Sequence, residues 1–129
     1  MSHWSEPYIG RAYVRGESDC AHLVCDVSKT QFGVHVPDAD EVARRASRLG
    51  RTAQLVDGLR EYCTQVNAPA EGDVVQIVCL GRPGHVGIYC VVSGEDCVLH
   101  AIEKSGVVLT RIRDFPRLFM RLEGYYRWK

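Results

Sequence analysis

Apolar positions follow two rhythms along this chain, and the change falls near its middle. From Cys20 to Phe32, the side chains of Leu23, Val24, Val27 and Phe32 recur at helical spacing. Ser18 or Asp19 stands where a helix would be capped, and Gly33 where it would stop. The spacing predicts a helix with Cys20 in its first turn. Pro37 and Asp38 open a second helical pattern to about Leu49, and Thr52 to Cys63 reads as a third through Leu55, Val56, Leu59 and Tyr62. After Asn67-Ala-Pro-Ala-Glu-Gly the texture changes to β-branched and apolar runs: Asp73 to Leu80, His85 to Val92, Cys97 to Ile102, Val107 to Ile112 and Phe119 to Trp128. Gly-Arg-Pro-Gly, Ser-Gly-Glu-Asp and Glu-Lys-Ser-Gly separate them at hairpin length, so neighbouring strands are expected to run antiparallel. Helices followed by a meander predict an α+β fold, with N-terminal helices packed on a five-stranded antiparallel sheet.

Composition narrows the class. At 129 residues the chain reads as a single domain over 1–129, and 46% hydrophobic with 25% charged residues is the balance of a globular core. Lysine plus arginine equals aspartate plus glutamate, 16 against 16, so no net field holds a polyanion and nucleic acid is not an expected partner. Arg44, Arg45, Arg48 and Arg51 cluster, but Asp38, Asp40 and Glu41 precede them, the pattern of a solvated helix face. The opening Met-Ser-His-Trp-Ser-Glu-Pro lacks a signal peptide's basic segment and apolar run, and no stretch approaches the roughly 20 apolar residues of a membrane span. Synthesis in a cytoplasm and no membrane partner are the expectations. Six cysteines occur, at positions 20, 25, 63, 79, 90 and 97, with no C-x-x-C pair, so structural zinc and thioredoxin-like spacings are missing. Reduced thiols are expected, with Cys25, Cys79 and Cys90 serving as packing.

Cys20 is the exception. A thiol at a helix start meets free backbone N–H groups and the positive end of the dipole, which favour thiolate and predict a lowered pKa. An activated cysteine needs a general base, and the base needs a group to orient it. His85 begins a strand between Gly84 and Gly87, and His100 lies in the next one. Counting back from the Ser93–Asp96 turn puts the two histidines on roughly opposite sides of one hairpin. The same three residues are also acceptable ligands for tetrahedral zinc, which is a different function class. His22 reads as a helix-surface residue.

Four segments together carry a resemblance: Tyr8-Ile-Gly-Arg-Ala-Tyr-Val-Arg-Gly-Glu-Ser-Asp-Cys-Ala-His-Leu-Val, Glu71-Gly-Asp-Val-Val, Gly84-His-Val-Gly-Ile-Tyr, and Leu99-His-Ala with Gly106-Val following. In that order they resemble the NlpC/p-sixty cysteine peptidases. The resemblance implies a papain-like α+β fold and hydrolysis of peptide stems in bacterial peptidoglycan, with no cofactor. It assigns Cys20 as nucleophile, His85 as base and His100 as orienter, with Tyr13 lining the oxyanion region and Asp19 binding the substrate's amino end. The compact opening is most similar to members carried by phage tails, which would make tail proteins partners and deliver the enzyme to the wall. Where the family usually has serine and then glycine after the nucleophile, this chain has Ala21 and His22. A wall-binding or tail module without turnover is the corresponding alternative, and related acyltransferases acting on lipids are another.

Overall fold

The computed structural model describes residues 3–15, 17–36 and 61–129. The predicted helix is present as α1, Cys20–Phe32. Asp19 caps it by accepting the His22 backbone N–H, and Gly33 ends it in the left-handed conformation, with φ of 63°. The second predicted helix, and all but the last residues of the third, lie outside the described residues.

Six strands follow: β1 (Cys63–Val66), β2 (Val74–Cys79), β3 (Arg82–Val92), β4 (Glu95–Ile102), β5 (Gly106–Arg111) and β6 (Met120–Trp128). They form one sheet in the order β1-β6-β2-β3-β4-β5, and every neighbouring pair is antiparallel. The five expected strands are all there, but the expected architecture is not. The described residues make a mostly-strand domain, one α-helix against a six-stranded sheet, in place of a papain-like set of N-terminal helices on five strands. The sixth strand arises at Cys63, read from sequence as the end of a helix. Cys63, Thr64, Gln65 and Val66 instead pair with Trp128, Arg127, Tyr126 and Tyr125, extending the sheet past β6. Thr64 and Val66 are β-branched and suit an extended backbone.

Alternation along the strands makes two cores. Val74, Val86, Ile88, Leu99, Ala101, Val107 and Tyr126 face α1 and pack with its Leu23, Val24 and Val27. Val75, Ile77, Tyr89 and Val98 form the other face, covered by Phe115 and Met120. An ion pair ties β6 to the start of β2: half-exposed Arg127 reaches both oxygens of buried Asp73, at 2.9 and 2.8 Å, and Asp73 also accepts the Ala70 N–H. The lead-in segment is stitched to β5, where Gly10 donates its N–H to Val107 O and Val107 donates back to Arg11 O, both at 2.9 Å. That seam holds Tyr13 and the turn from Val14 to Ser18 close to the start of α1.

Candidate active site

Cys20 is the first residue of α1 and is partly buried, while its neighbours Ala21 and Leu23 are enclosed in the core. Its sulfur receives the backbone N–H of Val86. The strand geometry explains why that donor is available. Tyr89 gives its N–H to Asp73 on the β2 side, so by alternation Val86 turns its N–H toward β4. There the β3–β4 ladder has ended, its last pair being Ile88 with Leu99. The thiol therefore sits where two strands part, one residue along the backbone from His85.

His85 and His100 are joined directly. His85 Nε2 lies 2.8 Å from His100 Nδ1, and His100 Nε2 lies 2.8 Å from Thr110 Oγ1. The sequence count placed the histidines roughly opposite each other and within cross-strand reach, as their contact shows, and the register sets them two residues out of line. Continuing the pairing of Ile88 with Leu99 puts Gly87 across from His100, and His85 two residues further on. The rings meet because Gly87 has no side chain. A Cβ there would stand 2.5 Å from Val98 Cγ1 and 3.0 Å from His100 Cβ. His85 and His100 alternate with Val86, Leu99 and Ala101, which face α1, so the imidazoles belong to the opposite face of the sheet. The Val86 N–H, directed toward β4, holds the Cys20 sulfur beside this part of β3. Among the described residues no hydrogen bond joins Cys20 to His85.

Two proton arrangements satisfy the His85-His100-Thr110 chain. In one, His85 Nε2–H donates to His100 Nδ1, and His100 Nε2–H donates to the Thr110 hydroxyl. This leaves His85 Nδ1 as a bare acceptor, the form that a general base requires. The reverse arrangement puts a proton on that nitrogen. Thr110 was not singled out from the sequence. It pairs with Val98 in β5 and reaches His100 on the diagonal, a contact that follows from extending the Ile102–Gly106 register around the short turn.

Burial sets the protonation of the site. It pushes the Cys20 thiol up to about 11, against the opposing pull of the Val86, Ala21 and Cys20 N–H groups, while Asp19 raises it further. The lowered pKa expected from the helix start is thus overturned, because desolvation of the charged sulfur outweighs the local dipoles. Burial likewise holds His85 down at about 4, and burial followed by the neighbouring ring of His85 holds His100 down at about 3. The resting pair is a neutral thiol and a neutral imidazole.

Those depressed values predict how stability depends on pH. As pH falls through 6.5, the ordinary value for histidine, the unfolded chain takes up protons that folded His100 refuses, so stability is full above that pH and declines toward pH 3. At pH 5 the loss from His100 alone is about 2 kcal/mol. Urea unfolding at pH 7 and pH 5 is expected to show this loss in the wild type and a shallower one in His100→Gln. Equal slopes for the two proteins would contradict the assignment.

The remaining predicted site residues lie around Cys20. Tyr13 packs partly buried beside it, and its phenol is pushed up first by burial and then by Cys20 and Asp19. The hydroxyl stays protonated near neutrality and can donate. Asp19 is already engaged, accepting the His22 backbone N–H at 3.1 Å and facing His22 Nδ1 at 2.7 Å. His22, expected as a surface residue, is half-buried and orders that carboxylate. A depression of about 210 Å³ beside the helix start is lined by Arg11, Glu17, Ser18, His22 and Asp26, among others. A second, of about 250 Å³, has Tyr13 and Lys104 on its wall. Cys20 and His85 line neither. All six cysteines are free thiols; Cys25 and Cys90 are buried as expected, and Cys79 only partly. Among the described residues no three His, Cys, Asp or Glu side chains converge as a metal-binding group. Both ring nitrogens of His100 are committed within the protein, which leaves that residue poorly placed as a zinc ligand.

No protein-family model matches the chain, and no curated protein matches it.

Proposed function

We propose that this protein is a cysteine hydrolase of the NlpC/p-sixty type that cleaves peptide stems of bacterial peptidoglycan. The observation that carries the reading is the His85-His100-Thr110 relay standing one residue from the main-chain group that holds the Cys20 sulfur. A relay of this kind presents one imidazole nitrogen with its lone pair free and fixes the ring that bears it. The neutral resting pair implies that the proton leaves the thiol during attack and not before. Sulfur adds to the peptide carbonyl as His85 Nδ1 takes the thiol proton. The oxyanion is met by N–H groups at the start of α1 and by the Tyr13 hydroxyl. The amine departs with the proton from His85, leaving a thioester on Cys20. Water, deprotonated by the same imidazole, releases the acid and restores the thiol. No metal takes part in these steps. Asp19, oriented by His22, is the group offered to the substrate's amino end.

The test is direct. Wall fragments from several bacterial wall types are incubated with wild-type and Cys20→Ala protein, and the released peptides are weighed by mass spectrometry. Peptides released by the wild type alone are the expected result. Release by both proteins, or by neither on any wall type, contradicts the reading.

A further inference from the structure

Away from the site, two turns bring large apolar side chains into solvent at one end of the sheet. Leu80 ends the β2 side of the β2–β3 hairpin and is 70% exposed, and Phe119 precedes β6 and is 74% exposed. Leu118 beside it is 46% exposed. The two turns are locked together by the Leu80 N–H, which donates to Phe119 O at 2.9 Å. Both residues hold left-handed backbone, with φ of 53° at Leu80 and 57° at Phe119, a conformation unusual for leucine and phenylalanine. The two-residue loop between Cys79 and Arg82 requires left-handed backbone at Leu80, and Phe119 ends the short helical turn Pro116–Leu118 in the same conformation, so both apolar side chains are held outward by their turns.

Arginines stand among them. Residues 78–86 and 115–122 contain Arg82, Arg117 and Arg121 and no carboxylate, in a chain whose total charge is zero. Arg117 and Arg121 reach out to Asp114 and Glu123 beyond or at the edge of these segments, while Arg82 has no ion-pair partner among the described residues. None of the depressions described above includes Leu80, Leu118 or Phe119.

We propose that this tip is a membrane-surface contact that inserts Leu80, Leu118 and Phe119 among the acyl chains of an anionic bilayer while the arginines meet its headgroups. Three side chains offer too little area for a stable protein interface, which needs about 1,000 Å² or more. They are enough for interfacial insertion when cations assist. The sequence expectation of no membrane partner rested on the lack of a spanning segment, and no helix of the described residues is long and apolar enough to cross a membrane. A surface contact needs neither. His85 lies three residues along β3 from Arg82, so a bound bilayer would stand beside the candidate site. The proposal goes beyond the hydrolase reading and does not depend on it.

The test is co-sedimentation of the whole protein with vesicles of phosphatidylglycerol and phosphatidylcholine, and with phosphatidylcholine alone. Wild-type protein is expected to bind the anionic vesicles and to be released by salt. The double variant Leu80→Ser with Phe119→Ser is expected to lose binding by about tenfold or more. Arg82→Ala is expected to lose about fivefold. Because all three side chains project into solvent, unchanged urea midpoints should show the variants folded. Failure of the wild type to bind anionic vesicles, or equal binding by the double variant, overturns the proposal. So does a concentration-dependent dimer that the double variant abolishes in the absence of vesicle binding, since the patch would then belong to a protein contact.

Discussion

Replacing Gly87 by alanine is expected to cost this protein both stability and turnover. The new methyl group would lie 2.5 Å from Val98 Cγ1, 2.9 Å from Leu99 O and 3.0 Å from His100 Cβ. None of these is the free end of a flexible chain. One is a carbonyl of the neighbouring strand, and the others belong to residues that are fully buried. The strands must therefore separate or His100 must move. Overpacking of this kind costs about 1–3 kcal/mol. The displacement acts on the very space through which His85 reaches His100, so relay geometry is lost together with stability. A urea midpoint lowered by that amount and turnover reduced by about tenfold or more are the expected outcomes. Alanine at Gly94, in the β3–β4 turn, meets nothing within 4 Å and makes a control for backbone effects, since its φ of 76° strains alanine without touching the relay. Equal turnover losses at both positions would show that Gly87 has no special bearing on the histidines.

The second large effect concerns His85 itself. Removing a general base typically lowers turnover by about 10²–10⁴. His85→Ala also strips His100 Nδ1 of its partner within a fully buried ring, which adds a stability cost of about 1–3 kcal/mol. His85→Gln separates the two losses. The glutamine amide can donate to His100 Nδ1 and keep the buried nitrogen satisfied, but it cannot accept the thiol proton. His85→Gln is expected to unfold near the wild-type urea midpoint and to be as inactive as His85→Ala. Recovered turnover in His85→Gln would mean that the ring positions neighbours and does not carry a proton.

The meander was legible in the sequence because apolar runs and turn residues mark strands locally, and the β3–β4 hairpin brought His85 and His100 to one neighbourhood by counting alone. The α1 start was equally legible from Asp19, Gly33 and the helical spacing between them. The strand at Cys63–Val66 was not, since four residues carry too little pattern and the partner that makes them a strand lies some sixty residues later, at Tyr125–Trp128. With it went the expected balance of helices and strands. The offset between the histidines was missed because turn counting fixes register only to within a residue or two, and the role of Gly87 follows from that offset. The thiol's direction of shift was misjudged for a related reason. A helix start is visible in sequence, whereas the desolvation that overrides it depends on what α1 packs against.

The proposed reaction requires Cys20 to pass its proton to His85. The most direct measurement is the rate at which iodoacetamide alkylates Cys20, followed by the mass of its peptide, in wild-type protein and in His85→Gln. With His85 held down at about 4 and the thiol up at about 11, base-assisted alkylation in the wild type should be nearly level with pH around neutrality, whereas in His85→Gln, which depends on the scarce thiolate, it should climb with pH throughout. At pH 7 wild-type alkylation should be about 10²-fold faster than in His85→Gln, because the imidazole takes the proton as sulfur attacks. Identical rates in the two proteins at pH 7 would contradict the claim.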